Sequence, residues 1–205
     1  VLGVSILCGF TGMFSMGHAG FMAIGGYVSA LLTKNCGVPV FVGVLGGMLV
    51  ASIVGYLISY PTLRLRDDYF IIVTLGIGEA IKLIIQNTES ITGGARGLSD
   101  VPSGSNVFVV WGVVILTVIG LWSFIHSKHG RNCIAVREDE IAARSVGVNI
   151  FKYKMEAMII SCALCGCAGA FLAHYMHFLH PNMFTMAKSD ELIIVVILGG
   201  RGSLT

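Results

Sequence analysis

Residues 130–153 read GRNCIAVREDEIAARSVGVNIFKY, a polar stretch set between long apolar segments suited to lipid. It packs Arg131, Arg137, Glu138, Asp139, Glu140, Arg144 and Lys152 into a short span. Within it, EDEIAARSVG is expected to form a short helix. Glu140 and Arg144 stand at i,i+4 in the favourable acid-first order, and Gly147 is placed to end the helix. Ile141 and Val146 flank Ala142 and Ala143, giving a small apolar patch. A charged helix held between two membrane segments predicts a handle: a partner docks on the 127–155 loop and works the membrane part through it.

The composition agrees with that placement. Hydrophobic residues make up 55% of the 205 residues, charged residues 12%, and mean hydropathy is +0.85. A soluble domain carries about a quarter charged residues, so the chain reads as an integral membrane protein. Its 27 glycines suit closely packed membrane helices. A net charge of +2, with no basic cluster interleaved with aromatics, excludes nucleic acid as a partner. The chain opens on Val1 inside an apolar run, without a charged leader, and is expected to be an internal fragment that does not fold stably alone. Cys162, Cys165 and Cys167 fall in an apolar helix as small hydrophobes, and Cys8, Cys36 and Cys133 are too scattered for a disulfide framework.

Outward from the central loop, hydropathy predicts an all-α, polytopic transmembrane bundle: one permease-like domain over 1–205, about six membrane segments, the end ones truncated. The segments expected are 1–14, 19–33, 40–60, 69–86, 107–125 and 156–178, with a last one starting near Glu191. Arg64, Arg66, Lys128, Arg131, Arg137, Arg144, Lys152 and Lys154 collect in the 61–68 and 127–155 loops. Only Lys34, Arg96 and Lys188 are expected on the other side. The positive-inside rule therefore puts loops 61–68 and 127–155 in the cytoplasm.

Inside the apolar runs, small residues recur four apart: Gly25 with Ser29, Gly26 with Ala30, Gly43 with Gly47, Gly166 with Ala170. This is the spacing of close helix packing. Ser15 to Gly20 (SMGHAG) breaks a hydrophobic run, either as a discontinuous helix lining a transport path or as an ordinary turn. Ser15, Gly17 and His18 are thus candidates for a translocation path. So are Glu79 and Lys82, which share a helix face at i,i+3, although both would also fit an outer helix end with Lys82 snorkelling. His174, His177 and His180 lack an acidic residue spaced to complete a metal site and read as packing at a membrane interface. TGGARGL (92–98) has no following Lys-Ser/Thr and is not a phosphate loop. No metal, nucleotide or nucleophile arrangement stands out.

SMGHAGFMAIGGY, LRLRDDYFIIVTLGIGE, TGGARGL, VREDEIAARSVGVNIFKYK and ELIIVVILGGRGSLT together resemble, in order and over nearly the whole chain, the permease subunits of bacterial branched-chain amino-acid ABC importers, nearest their LivM-type branch. REDEIAARSVGVN is the most specific of these stretches. The resemblance implies a second homologous permease, two cytoplasmic ABC ATPases that carry ATP and Mg²⁺, and a periplasmic binding protein delivering leucine, isoleucine or valine. It implies a place in the bacterial inner membrane, no catalysis by this chain and no cofactor bound to it. It also implies that Arg137 to Asn149 is a loop of the EAA coupling type, docked on an ATPase and driving alternating access. Two features depart from the family pattern, Arg201 in LGGRGS and the cysteine content of the sixth helix. Permeases for urea or short-chain amides share the framework. An ion-coupled secondary transporter would need membrane-depth acids beyond Glu79, and a membrane-embedded enzyme would need a catalytic cluster at that depth. A purely structural subunit would make the loop a static anchor.

Overall fold

The computed structural model describes residues 1–65, 67–102 and 107–199; Arg66 and Arg201, both weighed in the sequence, lie outside the described residues. The described chain is almost entirely helical: α1 (Leu2–Ser5) continued by a π-helical turn (Ile6–Phe10), α2 (His18–Cys36), α3 (Val40–Thr62), α4 (Asp67–Asn87), α5 (Glu89–Thr92), α6 (Val107–His126), α7 (Lys128–Glu138), α8 (Glu140–Ser145), α9 (Ile150–Met176) and α10 (Met186–Leu198). Of these, α3, α6 and α9 are long and apolar enough to cross a membrane.

Glycine decides how the bundle closes. A Cβ on Gly25 would run into the backbone of Gly166, and one on Gly47 into the carbonyl of Gly25, so α2, α3 and α9 meet backbone against backbone. The run of contacts fixes direction. Gly25 lies beside Gly166, Gly26 beside Gly169, and Ser29 bonds His174, so α2 runs parallel to α9. Gly43 meets Ser29 while Gly55 meets Cys162 and Tyr60 stacks edge-on against Phe151, so α3 runs antiparallel to both. The 61–68 region therefore lies at the same end of the bundle as 127–155, as alternation predicted.

Several bounds move: the first segment, expected to residue 14, ends its helix at Phe10, and α2 runs on to Cys36, so Lys34, expected in a turn, lies in its last turn. Pro61 and Thr62 complete α3 and Asp67 opens α4, which shortens the charged loop between them. The polar stretch after α4 carries α5, a 3-10 turn (Gly94–Arg96) and β1 (Leu98–Ser99), which pairs with β2 (Phe178–Leu179) as a lid over the far end. The sixth membrane helix begins at Ile150 rather than 156. The last begins at Met186 rather than near Glu191, so Lys188, expected in a loop, lies in its first turn and pairs with Glu191 at 2.8 Å.

Candidate functional site

The loop expected to hold one short helix folds as two. α7 is closed at its start by Ser127, whose hydroxyl accepts from the Gly130 N–H. Glu138 ends it, and Asp139 is extended (φ −158, ψ 112), so EDEIAARSVG is not one helix. The Asp139 carboxylate accepts from the Ile141 and Ala142 amides (2.8 and 3.0 Å) and caps α8. At the other end Gly147 has φ +82. Its N–H donates to Arg144 and the next, from Val148, donates to Ala143, the paired bonds of a Schellman stop. Gly147 therefore does end the helix.

Packing divides the expected apolar patch. Ala143 is 4% exposed, buried against Val136 and Ile150, whereas Ile141 (81%) and Val146 (78%) stand out from the protein, with Ala142 and Arg144 exposed beside them. Glu140 reaches forward to Lys154 in α9 (2.5 Å), an ion pair with a partner other than the expected Arg144. Arg137 bonds Glu138 through Nε and Nη2 and donates from Nη1 to the Gly9 carbonyl at 2.7 Å. α8 is thus a short capped helix, held to α9 by Glu140 and packed on α7 through Ala143, while presenting two large apolar side chains; it is α7 that Arg137 ties to the π-turn.

The SMGHAG interruption lies inside the bundle and is no surface turn. Gly9 sits at the 127–155 end, against Arg137, and the chain then climbs without helix to His18. There the imidazole Nε2 lies 2.9 Å from the Ser161 hydroxyl, and Ser15 is buried beneath it. Ser161 is about 16 Å along α9 from its first residue, so α2 starts near mid-bundle. Gly17 is required where it stands: a Cβ there would lie 2.6 Å from the Thr74 carbonyl.

A second helix starts at the same depth. The Ala19 amide donates to Ser189 Oγ of α10 (3.1 Å), and the first amide of α10, from Met186, donates to Glu79 Oε1 of α4 (3.3 Å). From there α10 runs back toward the 127–155 end, where Ile193 and Val196 join the core around Leu7, Met13 and Phe70. Two helices thus begin head to head beside Glu79, and each helix start is satisfied by a side chain from a different element. Glu79 also holds Lys82 at 3.0 Å, the expected i,i+3 pair. A cleft of about 10 Å³, room for roughly one water, lies between them, lined by Met16, Gly20, Glu79, Thr185 and Ser189. Of the five candidate path residues, Glu79 lines this cleft. Ser15, Gly17 and His18 do not line it: His18 turns to Ser161 instead, and Lys82 reaches the cleft only through its pair with Glu79.

Ser189 and the α10 start were not singled out in the sequence, where SDE reads as an ordinary polar flank. The histidines, expected as packing at a membrane interface, have specific partners at the far end of α9. His174 is buried between Ser29 (3.0 Å) and the Pro102 carbonyl (3.0 Å), His177 ends α9 at φ +57, and His180 accepts from the Asn182 amide. His174 and His177 thus hold the segment 101–102 against the end of α9, and His180 caps the turn Pro181–Met183.

Comparison with known proteins follows the same outline. The family model described as "Branched-chain amino acid transport system / permease component" matches residues 1–205. LivM, the high-affinity branched-chain amino acid transport system permease protein of Salmonella typhimurium, is 34% identical over 98% of this chain and 56% of its own length; LivM of Escherichia coli K12 gives the same values. LivH of Salmonella typhimurium, a second permease protein of that description, is 25% identical over 99% of this chain and 74% of its own length. The chain therefore spans about half the length of the LivM relatives it matches. No solved structure matches.

Proposed function

The chain belongs to the family of permease components of branched-chain amino acid transport systems, and from that premise we propose that it is the membrane core of a permease subunit in an ATP-driven importer of leucine, isoleucine and valine. The single observation that carries the reading is α8: a helix capped at both ends, anchored inward by Ala143 and by Glu140–Lys154, with Ile141 and Val146 standing exposed. Large apolar groups on a short charged helix fit a groove on a cytoplasmic partner.

In this reading two ABC ATPases hold ATP and Mg²⁺, a second homologous permease completes the pathway, and a periplasmic binding protein selects the substrate. This chain binds no cofactor, performs no catalysis and sits in the bacterial inner membrane with 61–68 and 127–155 in the cytoplasm. Closure of the ATPase dimer shifts the 127–155 element. That shift reaches the junction of Gly17, His18, Glu79 and Ser189, where unwound backbone is tolerated because protein covers it. The LivM and LivH relatives, both named as branched-chain amino acid permeases, support the substrate class.

The test uses the full-length protein co-expressed with the ATPases encoded beside it. Wild type recovers the ATPases on purification, and Ile141→Asp with Val146→Asp loses them while membrane insertion stays normal. Absence of any ATPase partner for wild type overturns the reading in favour of a secondary transporter. Uptake of urea in place of leucine by the assembled system moves it to the urea or amide branch.

A further inference from the structure

We propose that Arg137 is a positioning residue inside the coupling element, an internal tie that carries movement of α8 to the unwound segment 11–17, and not part of the surface on which the partner docks. The inference rests on reading 127–155 as the coupling loop.

Three observations place Arg137 on that route. First, its guanidinium is divided between two elements: Nε and Nη2 hold Glu138 at 3.0 and 2.5 Å, and Nη1 donates to the Gly9 carbonyl at 2.7 Å. A planar fork can serve both at once, which a lysine ammonium does less well. Second, Gly9 belongs to the π-turn Ile6–Phe10, a rare form that recurs at functional sites in helices. Gly12, just beyond, has φ +72, and a Cβ there would lie 3.0 Å from Arg137 Cγ, so the arginine stem rests on this glycine. Third, both ends of the tie lead somewhere. Arg137 is two residues from Asp139, the extended residue that caps α8. On the other side, 11–17 leads directly to His18 and the junction of α2 with α10.

The direct links from α8 to α9, the Glu140–Lys154 pair and the packing of Ala143 on Ile150, end on a continuous helix of 27 residues. Segment 11–17 is the non-helical piece touching both the coupling element and the junction among the described residues. It is therefore where a movement of α8 can alter the junction without displacing the whole bundle.

The experiment uses the complete transporter (both permeases, the ATPases and the binding protein) in proteoliposomes, with radiolabelled leucine as probe. For Arg137→Ala we expect the ATPases to co-purify as with wild type, leucine uptake to fall at least about tenfold, and stimulation of ATP hydrolysis by loaded binding protein to be lost. Arg137→Lys, which keeps a donor for Gly9, recovers part of the uptake. Gly12→Ala, which displaces the arginine stem from the far side, repeats the loss. Loss of the ATPases with Arg137→Ala overturns the proposal in favour of docking. Uptake within about twofold of wild type in either alanine variant overturns it as well. Failure of both alanine variants to accumulate in the membrane assigns Arg137 to folding and also overturns it. A wild-type protein that recovers no ATPase is the separate failure of the importer reading.

Discussion

His18 Nε2 lies 2.9 Å from the Ser161 hydroxyl across 143 positions of sequence, and this contact holds the start of α2 at the middle of α9. The Ser15 carbonyl, 2.9 Å from Nδ1, takes the ring hydrogen, so the Ser161 hydroxyl donates to Nε2. Ser161→Ala leaves a buried ring nitrogen without that donor, at a cost of about 1–3 kcal/mol. Thermal unfolding of the full-length protein in detergent should show the lower midpoint, and Ser161→Thr should restore it. An unchanged midpoint for the alanine variant would mean that α2 is not pinned there.

Gly25 and Gly112, both within helices, should answer the same substitution in opposite ways. Gly25 faces the Gly166 backbone, so Gly25→Ala must push α2 from α9, an overpacking cost of about 1–3 kcal/mol. Gly112 lies on α6 with nothing within 4 Å, and Gly112→Ala gains helix propensity worth about 0.5–1 kcal/mol. Membrane accumulation and unfolding midpoint should fall for the first and hold or rise for the second. Equal effects would remove the three-helix glycine contact from the fold.

The caps of α8 make it a folded knob before any partner arrives. Asp139→Ala removes the acceptor for two amides, a loss of about 1 kcal/mol concentrated on a six-residue helix. Hydrogen exchange of the full-length protein should show amides 141–145 exchanging faster, with α9 unchanged. Gly147→Ala, at φ +82, should act in the same direction. Protection that survives both changes would place the rigidity of α8 elsewhere.

The sequence made the long helices legible because lipid demands runs of about 20 apolar residues, and α3, α6 and α9 answer that demand directly. The capped stop at Gly147 was equally readable, since a left-handed terminus asks for glycine. The division of 127–155 into two helices was not. Asp139 caps by leaving the helical conformation, a local competition that a charge count passes over. The depth of SMGHAG was invisible for another reason. An unwound segment at the bundle centre and a surface turn have the same composition, and only the His18–Ser161 contact, far apart in sequence, separates them. The inward role of Arg137 was lost in a loop where every charge looked solvated.

Cys36 and Cys133 offer a readout of sidedness from variants that keep one thiol each. Cys36 is exposed at the end of α2, away from the 127–155 end, and should react at neutral pH with an impermeant maleimide. Cys133 is buried in α7, and burial first, then the Glu156 charge, pushes its thiol up to about 11. The thiolate is the reacting form, so raising pH through the range below about 11 should speed Cys133 labelling by about tenfold per unit. Sealed cells with a permeabilised outer membrane should label Cys36 alone; disrupted membranes at alkaline pH should add Cys133. Labelling of Cys133 from outside would reverse the proposed orientation.

Glu79 separates a pathway role from a capping role. Its Oε1 accepts from the first amide of α10 and its Oε2 holds Lys82. Glu79→Gln keeps the chain length and an oxygen for the Met186 amide but removes the charge. With the α10 cap kept, the unfolding midpoint should stay close to that of wild type. If the carboxylate serves the path, leucine uptake by the assembled transporter should nevertheless fall about tenfold, equivalent to about 1.4 kcal/mol on the barrier. Glu79→Ala removes the cap as well, and should lower the unfolding midpoint where Glu79→Gln does not. Uptake and stability falling together in both variants would make Glu79 a helix cap alone. Wild-type uptake by Glu79→Gln would take its charge out of the transport path.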